Sequence, residues 1–382
     1  MVGMADFAER ILGRRRAQEE MGHRERVEVC LNHDEPDRVP VDLWATPEVK
    51  ARLVRELGLN SSEDLLRLVG VDFRVIRGPS LVGLELESYL DGRTVDLWGV
   101  VRRPVGFGKG KSRGIYKEVV LSPLAGATNT DDIDDHNWPD PDWWDYSKVE
   151  EECKRHEGYC VVFAGDRLDR TAQLKTAMYL RGMTQVFRDM RTNPEVLKRI
   201  ISHIVEYFLE YDRRVFEASR GSIDVFMMGD DFGMQTGPMM PMATWKEYFE
   251  EGFRKFIELA HEYDVRVMHH TCGSVRELIP AFIEADLDIL QSLQPRAAGM
   301  ELGGLKRDFG SRIAMHGSVD IQRTLPMGDP GDVRAEVRER LSKGKPGGGF
   351  IICTAHNIQV DTPVANVLEL LESYHDYAYY AR

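Results

Sequence analysis

The 382-residue sequence has little of what an exported, membrane-bound or nucleic-acid-binding chain carries. Its five cysteines, Cys30, Cys153, Cys160, Cys272 and Cys353, are odd in number and scattered. That excludes a disulfide framework and points to a reducing compartment. No stretch approaches the roughly 18 apolar residues of a membrane span, and the opening MVGMADFAERILGRRRAQEE lacks the apolar core of an export signal. These absences predict a soluble, cytoplasmic protein. Basic charge is also short: 63 acidic residues against 50 basic give a formal net charge of −13. Nucleic acid and anionic membrane are poor partners for such a surface. Internal repeats and low-complexity linkers are missing too.

What is present is alternation. Short apolar runs occur at 38–44, 72–77, 160–165, 223–229, 265–270, 287–293, 312–317 and 349–355. Amphipathic stretches separate most of them, at 194–219, 242–263, 273–284, 329–342 and 362–375. Another helix starts at Thr46, with Pro47 at the first helical position and Glu48 in the first turn. Eight strands alternating with helices predict a closed (β/α)8 TIM barrel. One barrel domain over 1–382 is expected, with an N-terminal helical extension at 1–37 and an insertion at 93–146. Within the insertion, 93–122 reads as an antiparallel excursion around a Gly/Lys-rich turn. Residues 130–146 combine seven aspartates with three tryptophans and two prolines, which suits a solvated loop docked on the barrel wall or a partner-binding surface.

Barrels of this kind keep their chemistry at the C-terminal ends of the strands. There the sequence places Asp230, Asp231 and Gln235, then His269, His270 and Cys272, then Gln291 and Gln294. The last two strands add His316, Asp320 and Gln322, and Cys353, His356, Asn357 and Gln359. Residues i and i+2 of a strand share a face, so His270 and Cys272 can converge on one ion while His269 turns away. Imidazole with thiolate suits zinc, and a catalytic zinc takes a third protein ligand and leaves one position open. Cys353 and His356 are the candidates for that third ligand. The remaining amides and carboxylates, Gln235, Gln294, Asp320, Gln322 and Asn357, suggest a polar substrate pocket. Asp230 and Asp231 are candidate proton donors or partners of His270, or simple loop caps.

The segments HRERVEVCLNHDEPDRVPVDLW (23–44), GDDFGMQTGPMM (229–240), HTCGSVRELIPAFIEADLDILQSLQP (270–295), FGSRIAMHGSVDIQRTLPMGDPGDV (309–333) and GGGFIICTAHNIQVDTPVAN (347–366) together resemble the uroporphyrinogen decarboxylase superfamily. The H-x-C-G and T-P-x-x-N segments are similar to its cobalamin-dependent methyltransferase branch. That resemblance implies zinc on His270 and Cys272, a distal ligand on the last strand, and a corrinoid protein as the partner that carries cobalamin. Its distal cysteine would fall at His356, with Cys353 three residues earlier, so His356 is the favoured ligand and Cys353 the alternate or fourth. A His/Cys/His set carries less thiolate charge than His/Cys/Cys, which favours zinc as a Lewis acid toward a methyl donor, an O-demethylase type of transfer, over methylation of a thiol acceptor. The porphyrin-binding arginines of the decarboxylases have no counterpart in VDLWATPEVK (41–50). A metal-free decarboxylase-like lyase using Asp230 or Asp231 is the alternative, and a non-catalytic barrel the third.

Overall fold

The computed structural model describes residues 4–109, 112–165 and 170–380. Its main sheet has seven parallel strands in sequential order: β1 Phe73–Ile76, β2 Cys160–Phe163, β3 Val225–Gly229, β4 Arg266–His270, β5 Ile289–Leu293, β6 Ala314–Val319 and β7 Phe350–Thr354. Most of their residues are buried on both faces, which explains why they read as apolar runs rather than alternating ones. The eighth predicted run, 38–44, forms no regular strand. It nevertheless lies between β7 and β1: Asp42 N–H donates to Ile352, Ile352 N–H to Pro40, and Asp72 N–H to Val41. Val41 bridges Ile352 in parallel. Pro40 has no N–H to give, so the ladder is interrupted at this point while the circle of strands is completed.

Helices clothe the outside. The longest, Pro194–Ser219, begins with proline at its first position and buries an apolar stripe that includes Ile200, Ile204, Phe208 and Val215. The helix predicted at 273–284 is shorter, Ile279–Glu284. Residues 273–278 form turns instead, starting at Gly273 with φ +81°. A Cβ there would lie 2.5 Å from the Gly233 backbone, so two loop ends meet where only glycine fits.

The insertion is antiparallel, with Thr94–Val95, Val101–Lys109 and Ser112–Leu121 forming a three-stranded ribbon. Residues 110 and 111 of its predicted turn lie outside the described residues. The tract 130–146 docks on helix Pro194–Ser219. Trp138 stacks on His203 at 4.5 Å, Trp144 Nε1–H donates to the Tyr207 hydroxyl at 3.0 Å, and Asp134 pairs with Arg199. Its aromatics are thus packed against the barrel's outer helix. Helix His23–Leu31 is tied to the barrel through buried Asp72, which accepts from Arg26 at 2.8 Å and from Arg38 of the 38–44 run at 2.7 Å, and helix Met4–Gln18 is tied to the last helix by Arg10, which donates to Glu372 at 2.7 Å. The Arg38 and Arg26 guanidiniums hold the Asp72 carboxyl far below the usual carboxylate range despite its burial. No described helix is long and apolar enough to cross a membrane.

Candidate metal centre

At the end of β4 two adjacent histidines go opposite ways. His269 enters a box of Phe232, Phe253 and Phe282, with ring centroids 4.9–5.7 Å away. Neither of its ring nitrogens has a hydrogen-bond partner, and burial drives its pKa down to about 3. His270 faces the barrel mouth. Thr271, on the opposite side, accepts from the Phe232 N–H at 3.0 Å. Cys272 then turns back toward His270, held by its own N–H donating to Asp231 Oδ1 at 2.9 Å.

His270, Cys272 and His356 offer ligand atoms that all lie within 4.8 Å of one another. Cys272 Sγ is 3.5 Å from His270 Nε2, and Asp231 Oδ1 is 3.8 Å from the same nitrogen. The other ring nitrogen of His270, Nδ1, faces Gln291 Oε1 on β5. An amide oxygen can only accept, so the proton sits on Nδ1 and the Nε2 lone pair points into the trio. Burial lowers His270 to about 3, with Asp231 only partly opposing it, and the ring is neutral and ready to ligate. Burial, reinforced by Asp231, pushes the Cys272 thiol well above its usual range. A divalent cation in the trio would reverse that and take the thiolate. His356 Nδ1 accepts from the Asn357 N–H at 2.8 Å, which leaves its proton on Nε2. To ligate, the ring must exchange one of those two positions for the ion. Two imidazoles and a thiol match zinc in donor chemistry. Trp44 covers one side, stacked on His270 at 5.8 Å and 13° and edge-on to His356 at 6.5 Å.

Cys353 does not join this trio. It lies deeper, fully buried, with Asp42 and His316, again with ligand atoms within 4.8 Å of one another. Here the carboxylate is filled by hydrogen bonds. Asp42 Oδ2 takes Trp44 Nε1–H at 2.8 Å and His316 Nε2–H at 2.9 Å, and Oδ1 takes the Leu43 N–H.

The predicted proton donors separate as well. Asp230 is buried and accepts from the N–H groups of Gln173, Leu174 and Lys175 at 2.6, 3.0 and 2.7 Å, capping helix Leu174–Arg181. Burial raises its pKa to about 6. Asp231 is half-exposed at the trio, and His270 together with the Cys272 N–H outweighs burial and lowers its pKa. Among the predicted substrate residues, Gln294 accepts from the Gly273 N–H at 3.0 Å, and Asn357 adjoins His356. Asp320 is engaged by Arg296 at 2.5 Å and by the N–H groups of Gln322 and Thr324. The side chains of Gln235 and Gln322 are exposed on loops. Gln291 and Trp44 are the contacts that sequence reasoning left without a role. Gln291 pairs in register with His270 across β4 and β5, a relation visible only once strand ends are aligned. A separate cavity of about 640 Å³ sits at the opposite end of the barrel, where Arg24 and Arg266 pair with Asp224 and Asp288.

Parallel strands closed into a barrel, with imidazole and thiol gathered at their C-terminal ends, define a (β/α)8 protein whose chemistry belongs at that mouth. The chain belongs to the uroporphyrinogen decarboxylase (URO-D) family, whose model matches residues 171–377, more than half of its length. Among solved structures it is similar to a methyltransferase from Methanosarcina mazei, at a TM-score of 0.63 and 18% identity over 94% of this chain and 99% of that one. At that identity the likeness is one of fold. A B12-independent methionine synthase from Shewanella sp. W3-18-1, in complex with selenomethionine, aligns at a TM-score of 0.46 and 12% identity over 89% of this chain and 92% of that one. No curated protein matches the sequence.

Proposed function

We propose that this chain is a zinc-dependent methyltransferase that moves a methyl group between a small molecule and a corrinoid carried by a partner protein, in the demethylating direction. The observation that supports this most is the convergence of His270, Cys272 and His356 within 4.8 Å at the barrel mouth. Bound there, zinc supplies Lewis acidity toward the heteroatom that carries the methyl group. The chain's own residues do the rest. Gln291 fixes the tautomer of His270 so that Nε2 faces the ion. Asp231 orients the Cys272 loop by accepting its N–H, and its carboxylate stands 3.8 Å from His270 Nε2, beside the site. Trp44 covers one side of the trio, stacked on His270 and edge-on to His356.

The M. mazei protein of the same fold is a methyltransferase, which agrees with this reading. A decarboxylase-like reaction through Asp230 has less support, because that carboxylate already accepts three backbone N–H groups as a helix cap. Two measurements test the proposal. Protein purified without added metal is assayed for zinc, with about one per chain expected. Methyl transfer from aryl methyl ethers and methylamines to cob(I)alamin is then followed by its absorption. Metal-free protein that still transfers methyl groups would overturn the role of zinc, and zinc-loaded protein inert toward both donor classes, with free or protein-bound corrinoid, would overturn the reaction.

A further inference from the structure

Polar side chains stand in a row across the barrel interior, on three consecutive strands. The register pairs His270 of β4 with Gln291 of β5, and Gln291 with His316 of β6. Register partners on neighbouring parallel strands lie about 4.8 Å apart and share a face. Asp42 stands at the far end and accepts from His316 Nε2–H at 2.9 Å. All four are buried, Gln291 and His316 completely.

The two ends of this row are joined and its middle is open. Gln291 Oε1 takes the His270 Nδ1–H, and Asp42 takes the His316 Nε2–H. Between them Gln291 Nε2 and His316 Nδ1 are buried, and neither has a hydrogen-bond partner. A buried N–H and a buried lone pair are each costly to leave unmet. Here each is what the other lacks. The amide nitrogen only donates, and a His316 ring whose proton is held on Nε2 by a carboxylate can only accept at Nδ1. The terminal torsion of a glutamine is broad, so the amide can turn toward the ring without leaving a rotamer well.

The direction of the amide is what this contact would decide. A glutamine amide can present either its oxygen or its nitrogen to a neighbour. Reversed, it would offer N–H to His270 and send that ring's proton to Nε2, the atom 3.5 Å from Cys272 Sγ. It would also set its oxygen against the His316 lone pair. By holding the His316 proton, Asp42 therefore favours the orientation that leaves His270 Nε2 bare.

We propose that His316 is a positioning residue of the metal centre: its Nδ1 accepts from Gln291 Nε2–H, so that Asp42, His316 and Gln291 form one relay that keeps the His270 Nε2 lone pair turned toward the ion. The relay rests on the reading of His270, Cys272 and His356 as a zinc site. It gives the inner trio a part in the outer one without any contact with substrate.

Zinc affinity, measured by competition with a chelator, tests the relay. His316→Phe keeps the bulk of the ring and removes both nitrogens, and it should weaken zinc binding at least about tenfold, as loss of an outer partner does. Gln291→Met keeps the length of the side chain without its amide and should cost at least as much. The double variant should bind no more weakly than Gln291→Met alone, because the His316 change acts only through Gln291. Losses that add would mean that His316 reaches His270 by way of Asp42 and Trp44, which overturns the relay. So would a His316→Phe protein with the parent's affinity. The contact itself is read without metal: in metal-free protein carrying isotope-labelled histidine, the bare Nδ1 resonance of His316 should shift on Gln291→Met. A resonance that does not move overturns the proposal whatever the metal does. A chain that shows the shift but binds no zinc would overturn the zinc site and leave the contact standing.

Discussion

Among the described residues the barrel interior holds two trios built from nearly the same residue types, and they are put to different uses. At the mouth, His270, Cys272 and His356 are partly exposed, and the His270 Nε2 lone pair faces the space between them. Deeper in, His316 and Cys353 are closed to solvent beside Asp42, whose oxygens are filled by three N–H donors. Trp44 joins the two, stacking on His270 while its indole N–H holds Asp42. Ligand-type residues within reach of one another therefore do not by themselves make a metal site. What separates the trios is that the inner one is built around a carboxylate already filled by three N–H groups, whereas the outer one opens on the barrel mouth.

The largest effect should come from removing one thiol from each trio. Cys272→Ala is expected to lower zinc from about one per chain to less than about a tenth, because two remaining ligands do not hold a catalytic zinc. Methyl transfer should fall by at least about 100-fold with it. Cys353→Ala should leave zinc content and turnover near the parent values. Metal analysis of the two variants side by side decides the matter, and loss of zinc from both would mean that Cys353 enters the mouth site.

Next in size is the support behind His270. Gln291→Ala frees the Nδ1 proton from its acceptor, and removal of such an outer partner typically weakens zinc binding about 10- to 100-fold. Gln291→Glu offers a stronger acceptor and should restore or tighten binding. Competition with a chelator measures both. An Ala variant that binds zinc like the parent would show that the ring is oriented by Trp44 stacking alone.

The comparison inverts for stability. Asp42→Ala strands the Trp44 and His316 donors in a buried site, at about 1–3 kcal/mol for each unsatisfied group. Asp231→Ala at the half-exposed mouth should cost less than about 1 kcal/mol. Urea unfolding of both metal-free variants gives the ordering directly, and equal losses would mean that water reaches the inner trio.

Much of this architecture was legible beforehand because parallel strands buried on both faces leave continuous apolar runs. All eight runs fall on the barrel circle, and the first pairs irregularly because Pro40 has no N–H and the Val41 and Leu43 N–H groups go to the Asp72 and Asp42 carboxylates. The i, i+2 rule separated His270 and Cys272 from His269 without any structure. Other features depend on long-range pairing that spacing does not encode. Asp230 and Asp231 are adjacent and chemically identical in sequence, yet one caps a helix that starts 56 residues earlier, at Leu174, while the other reaches the mouth. The short helix at 279 likewise follows from the Gly233–Gly273 approach, a contact across 40 residues of chain.

The smallest expected effect is one of pH, and it bears on whether the inner trio is charged. Burial alone would raise the Asp42 carboxyl, but His316, the Leu43 N–H and the Trp44 N–H outweigh it and hold its pKa below the usual value. A carboxyl whose pKa is lower in the folded chain than in the unfolded one, about 3.9 in the latter, adds stability at pH values above both. That contribution fades as pH falls through the folded value, because the unfolded state then binds the proton more readily. Asp42→Asn lacks the contribution at every pH. The parent should therefore exceed this variant by its widest margin above about pH 5, and the margin should narrow on acidification. The same substitution at Asp231 should change the acid limb less, since solvent screens a half-exposed carboxylate. Denaturant midpoints at a series of pH values between roughly 3 and 7 would measure both margins. A constant Asp42 margin across that range would mean that its pKa is the same in the folded and unfolded chain, and a margin that widens on acidification would mean that the inner carboxyl is uncharged when folded; either would leave the contrast between the trios to rest on burial alone.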